Sequence, residues 1–225
     1  MVLLNLYLIL FMSCILAMKK LWDISPPGAE FSPVFPGDTA YEQDWVAQIG
    51  ASCPVNVCRL RFSFHIGAHA DAPLHYDVDG ETVGELDLVP FLDRCNVIDA
   101  RTSGALIQPS DLEHAFGRLA PRVLVRGYEK FPLNEFDPKS KAFAPQTLIA
   151  LASMGVCLIG TDSASVDPSD SKELPGHAVL RLKGMRVLEN LYLDEVPEGE
   201  YELIALPLKL MTADASPVRA VLREL

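Results

Sequence analysis

The segment His65-Ile-Gly-Ala-His69-Ala-Asp71-Ala-Pro-Leu-His75 restricts this chain more than any other stretch. It places three of the chain's five histidines and an aspartate within eleven residues. In a helix His65 and His69 share a face, but Asp71 falls about 120° from His65 around the axis. Gly67 and Pro73 also oppose a helix. An extended segment sends alternate side chains to the same side. His65, Gly67, His69, Asp71, Pro73 and His75 then project together, while Ala68, Ala70 and Ala72 pack on the body of the domain. Residues 58–64 lead into it with a strand pattern: Cys58, Leu60, Phe62 and Phe64 on one face, Arg59, Arg61 and Ser63 on the other. The expectation is a strand that runs on into an extended active-site loop.

Two imidazoles and a carboxylate make a set suited to a catalytic divalent ion. Neutral histidine nitrogen suits zinc, manganese or iron, and a carboxylate can bridge two ions. Further along, His177 follows Leu174-Pro175-Gly176, and Glu189 stands among Val187, Leu188 and Leu191. A carboxylate in an apolar strand is costly unless paired or metal-bound. From the residues alone, Glu189 equally fits the exposed side of an edge strand, His177 an ordinary histidine at a helix start, and His114 a surface position.

The remaining pattern implies an α/β or α+β domain. Cys95–Ala100, Arg122–Arg126, Val156–Gly160, Met185–Leu193 and Tyr201–Leu208 read as strands. Helices are expected from Pro109 with Ser110 as N-cap, over Pro145–Met154 and over Pro175–Leu182. No domain boundary is visible after residue 20, so residues 18–225 form a single domain. A net charge of −11 opposes phosphate backbones and argues against nucleic acid. Five cysteines without a CxxC pair point to buried thiols in a reducing, cytoplasmic setting. Residues 1–17 are almost wholly apolar and lack the basic start of a secretory signal. They read as an extension ahead of a true start at Met18; a signal or membrane anchor, or a helix packed on the domain, are the alternatives.

The pattern His-x-Gly-x-His-x-Asp-x-Pro-x-His resembles the signature of the metal-dependent cyclase/formamidase family. The similarity runs from about Lys20 to Glu224 and narrows to the bacterial kynurenine formamidase (arylformamidase) branch. It includes Leu21-Trp22-Asp23-Ile24-Ser25-Pro26-Pro27, Phe35-Pro36-Gly37-Asp38-Thr39, Gly160-Thr161-Asp162-Ser163 and Asp214-Ala215-Ser216-Pro217-Val218-Arg219-Ala220. The resemblance implies a swivelling β/β/α fold with a mixed central sheet and flanking helices, a homodimer, and two divalent ions, zinc before manganese. It implies that His65 and His69 bind one ion, that His177 binds the second, and that Asp71 and Glu189 bridge them. His75 is left as the proton-transfer residue. The implied substrate is N-formyl-L-kynurenine, and a sister amidase or lactam hydrolase such as an isatin hydrolase is the alternative, followed by a non-catalytic metal-binding protein. Relatives often carry Trp where this chain has Phe35. An aromatic there is expected to stack on the substrate's aryl ring; Phe keeps the face and loses the indole N–H.

Overall fold

Arg122-Val-Leu-Val-Arg126 alternates between two interiors. Val123 and Val125 pack into one hydrophobic cluster and Leu124 into another. A strand buried on both faces reads as a continuous apolar run, as parallel central strands do. The computed structural model describes residues 19–225 and builds this strand into the middle of a large sheet.

Thirteen strands form in chain order: β1 (Leu21–Asp23), β2 (Glu42–Ala47), β3 (Val57–Arg61), β4 (His69–Asp71), β5 (Leu92–Asp99), β6 (Leu106–Ile107), β7 (Arg122–Arg126), β8 (Ala142–Phe143), β9 (Leu158–Thr161), β10 (Arg186–Glu189), β11 (Gly199–Ile204), β12 (Ala215–Pro217) and β13 (Val221–Glu224). Nine of them make one sheet in the order β1-β13-β11-β5-β7-β9-β10-β4-β12. Its centre, β5-β7-β9-β10, is parallel, and both flanks are antiparallel. Among the described residues three helices accompany it: α1 (Pro109–Leu112), α2 (Pro145–Ser153) and α3 (Pro175–Lys183). Leu148 and Leu151 of α2, and Val179 and Leu180 of α3, cover one face together with Val123, Val125, Ile159 and Val187. The opposite face joins Leu124, Leu188, Ala70 and Leu203. The expected α/β class with a mixed central sheet and flanking helices is therefore what forms.

Several expectations need correction. The helix at Pro109 ends at Leu112; Gln108 precedes it, its N–H held by the Asp111 carboxylate at 2.7 Å, so Ser110 sits inside the first turn and is not the cap. The strand expected over 185–193 stops at Glu189, because Asn190 turns into the left-handed region at φ 55°. The strand expected over 58–64 is β3, which ends at Arg61 and among the described residues pairs only with β2, as a separate hairpin. Its two faces segregate as the alternation implies: Arg59 and Arg61 meet Asp44 and Glu42 on one, while Leu60, Cys58 and Trp45 share the other. That apolar face is uncovered, with Trp45 51% and Leu60 45% exposed. Of the cysteines among the described residues, only Cys95 is fully buried, and none is paired. Met18 and the apolar extension over 1–17 lie outside the described residues. Among the described residues, no helix is long and apolar enough to cross a membrane.

Candidate metal centre

Residues 65–75 do not form one extended array. Ten residues of strand span about 33 Å, yet the rings of His65 and His75 are 4.2 Å apart. Only His69–Asp71 is strand. Gly67, at φ +66°, reverses the chain ahead of it, and a 3-10 turn at Pro73–His75 reverses it behind. The segment is a horseshoe with His69 and Asp71 at its base. Within that base the period of two holds: Ala68, Ala70 and Ala72 are buried in the core, and His69 and Asp71 face the other way.

Glu189 arrives by strand pairing. β10 is an interior strand between β9 and β4, and Glu189 stands directly opposite His69 in the antiparallel register. The edge-strand alternative is thereby excluded, and Glu189 is only 3% exposed. His177 lies in the first turn of α3 and points at the same cluster.

The cluster has two ends. Asp71 Oδ1 faces His65 Nδ1 at 3.2 Å and His69 Nε2 at 3.3 Å, while Asp71 Oδ2 faces His177 Nε2 at 3.5 Å. Glu189 repeats the division, with Oε2 3.5 Å from His69 Nε2 and Oε1 3.8 Å from His177 Nε2. No Lys or Arg pairs with either carboxylate among the described residues. Two buried anions side by side demand a compensating cation. Burial alone would lower the His69 imidazole, but Asp71 and Glu189 outweigh it and raise it from 6.5 to about 10. Burial opposed by Asp167 and Asp71 likewise leaves His177 at about 10. Burial would raise Asp71, but His177, His65 and His69 hold it well below the usual carboxylate range. The site draws in positive charge.

Buried polar atoms without hydrogen-bond partners include His69 Nε2, both Asp71 oxygens and His177 Nε2. Orphans of this kind are rare in folded proteins, and four gathered on imidazole and carboxylate groups fit a bound ion. His69, Asp71 and Glu189 form one group spaced to hold a metal ion, and His65, Asp71 and His75 form another. His75 differs from the rest in exposure: one third of its side chain is accessible.

Beside the cluster opens a cavity of about 200 Å³, bordered by His65, His75, His177 and Glu189 at its floor. Phe35, Tyr128, Phe131 and Phe136 supply aromatic walls. Phe35 and Phe136 meet edge to face at 5.1 Å. Asp162 also borders the cavity, and its carboxylate accepts the backbone N–H groups of Gly127 and Tyr128 at 2.9 Å. It holds the loop that carries the Tyr128 wall.

Residues 22–168 match the Cyclase family, described as "Putative cyclase". A kynurenine formamidase of Paracidovorax citrulli is 58% identical over 209 residues, covering 91% of this chain and 97% of the relative. A kynurenine formamidase of Delftia acidovorans is also 58% identical, over 92% of this chain and 99% of its own. The chain belongs to the kynurenine formamidase branch of the cyclase family. A solved structure described as a potential metal-dependent hydrolase with cyclase activity superposes with a TM-score of 0.81 at 26% identity, covering 92% of this chain and 98% of that one.

For a member of this branch, the structure adds Asp167 and Asn190, which spacing and resemblance did not single out, and gives the Gly67 carbonyl a role. Asp167 accepts the Nδ1–H of His177 at 2.7 Å, and the Gly67 carbonyl accepts that of His69 at 2.9 Å. Each bond fixes the tautomer of the neutral ring, with the proton on Nδ1 and Nε2 turned toward the cluster as a metal ligand requires. Asn190 donates from its side chain to the His65 carbonyl at 3.2 Å. The one sequence signal was an Asn at a strand end, where left-handed backbone is tolerated.

Proposed function

We propose that this chain hydrolyses the formyl amide of N-formyl-L-kynurenine to formate and L-kynurenine, using two divalent ions, zinc before manganese. The observation that carries the two-ion reading is the split of Asp71 and Glu189, each with one oxygen toward His69 and the other toward His177. On this reading His65 and His69 would hold one ion, His177 would hold the second, and Asp71 and Glu189 would serve both. The substrate is supported by the formamidase relatives at 58% identity over nearly their full length. Ions bound there supply Lewis acidity, giving water of lowered pKa and a polarised formyl oxygen.

The chain's own residues do the rest. Phe35 takes the aryl ring, against Phe136. Water adds to the formyl carbon, the C–N bond breaks, and the departing aryl amine needs a proton. His75 takes the proton released as water adds and delivers it to the amine: it is the most exposed imidazole of the cluster and it borders the cavity.

The active form on this reading is a homodimer. The uncovered face of the β2–β3 hairpin supports it, since an isolated two-stranded ribbon with an exposed apolar face is marginal in water. Unpaired cysteines among the described residues support a reducing, cytoplasmic setting. The test is to purify the protein, quantify its metal, weigh the native particle, and follow kynurenine release alongside a lactam such as isatin. Opening of the lactam without release of kynurenine would replace the formamidase reading with the sister activity.

A further inference from the structure

Each imidazole at the centre has one nitrogen toward the carboxylates or the cavity and the other on a fixed acceptor. For His69 the acceptor is the Gly67 carbonyl, and for His177 it is Asp167. His65 and His75 share theirs. Asp214 Oδ2 lies 3.1 Å from His65 Nε2 and 3.3 Å from His75 Nδ1. A carboxylate oxygen has two lone pairs and accepts both N–H groups. His65 then carries its proton on Nε2, leaving Nδ1 as the bare nitrogen 3.2 Å from Asp71. His75 carries its proton on Nδ1, leaving Nε2 to give and take protons.

Asp214 is itself held in register with the centre. Its carbonyl accepts the Ala72 N–H at 2.8 Å, and the next residue, Ala215, pairs with Asp71 across β12 and β4. The strand that carries the bridging candidate Asp71 therefore also sets the height of Asp214. The His65 and His75 rings stack at 4.2 Å with planes 41° apart, a proximity that the shared oxygen between them explains.

We propose that Asp214 is a positioning residue that fixes the tautomers of His65 and His75 through one carboxylate oxygen, so that ion binding and proton delivery are aligned by a single group. The inference rests on the roles of His65 and His75 proposed above. Removing Asp214 frees both rings at once, so two properties that are separate in the other imidazoles fall together.

The experiment compares wild type with Asp214→Ala, Asp214→Asn and Asp214→Glu. The ¹⁵N imidazole spectra of metal-free protein at alkaline pH, where the rings are neutral, and of zinc-loaded protein report the tautomers without any substrate. Zinc competition gives affinity, and steady-state kinetics separate kcat from KM. In wild type, His65 is expected as the Nε2–H form and His75 as the Nδ1–H form. Asp214→Ala is expected to leave mixed tautomers at both, to weaken zinc roughly 10–100-fold, and to lower kcat by a similar factor while KM stays within about twofold. Asp214→Glu, which keeps the charge, is expected to recover part of all three, and Asp214→Asn less. Unchanged tautomer signals in a folded Asp214→Ala protein would overturn the proposal. So would an equal loss in the Ala and Glu variants. If wild type releases no kynurenine, the formamidase reading fails, while the spectra and zinc affinities still decide the role of Asp214.

Discussion

The Asp167 carboxylate does two things for His177. Oδ2 accepts its Nδ1–H at 2.7 Å and its backbone N–H at 3.0 Å, while Oδ1 accepts the Gly176 N–H at 2.6 Å. One side chain therefore satisfies the start of α3, where an anion is favoured, and aims the imidazole that the helix carries. Burial would raise Asp167, but the His177 contacts keep it low and ionised. Asp167→Ala is expected to weaken zinc binding roughly 10–100-fold. Loss of the cap contributes about 1 kcal/mol of destabilisation. Zinc competition and urea denaturation check the two effects separately, and zinc affinity equal to wild type would refute the link.

Gly176 makes that closure possible. A Cβ there would lie 2.9 Å from Asp167 Oδ1 and 3.1 Å from its Cγ, so the carboxylate would have to move off the helix start. Gly176→Ala should reproduce the zinc defect of Asp167→Ala in milder form. The double variant should be no worse than Asp167→Ala alone, because the two changes break one contact. Additive losses would show that the glycine matters for another reason.

How much of this was readable in the chain differs from residue to residue. The inward alanines and the grouped histidines of 65–75 follow from period two and residue type. The horseshoe does not: Gly67 and Pro73 argue against a helix, but only the fold shows that they reverse the chain. Glu189 looked as much like an exposed edge as a buried site because its neighbours were apolar in either case. Its partner His69 is 120 residues away, and the pairing of β10 with β4 is a tertiary event. The family resemblance pointed to Glu189 and His177 where local pattern could not. Asp167 and Asp214 left almost no trace, since an aspartate before a proline or before a short strand is an ordinary turn residue. The 58–64 alternation implies two faces, which β3 shows as far as Arg61. What covers the apolar one is not encoded in the alternation.

Phe35 is 42% exposed and touches Phe136 edge to face. If it seats the substrate's ring, its removal affects ground-state binding and transition state alike. Phe35→Ala is then expected to raise KM roughly 2–10-fold with little change in kcat. Phe35→Trp restores the aromatic face and should keep KM near that of the parent. Steady-state kinetics on both variants test this, and a fall in kcat with KM unchanged would place Phe35 in the chemistry instead of the binding.

The charge state of the centre makes stability depend on pH in a way that metal should abolish. In the metal-free protein His69 and His177 are raised from 6.5 to about 10, His69 by Asp71 and Glu189 and His177 chiefly by Asp167 and Asp71, each against the opposing effect of burial. A histidine raised on folding contributes stability that is complete below its unfolded value and vanishes as pH climbs through its folded one. The window of loss is therefore pH 6.5 to about 10. Asp71 has the opposite sign: held well below 3.8, it contributes above that value and loses its contribution only in stronger acid. Metal-free protein should thus be most stable between pH 3.8 and 6.5 and melt at progressively lower temperature toward pH 10. Zinc takes neutral imidazole and releases the protons, so loaded protein should show no such alkaline decline. Thermal melts of chelator-treated and zinc-loaded samples across that window decide it. Parallel curves for the two samples would mean that the buried carboxylates are not what holds protons on these imidazoles.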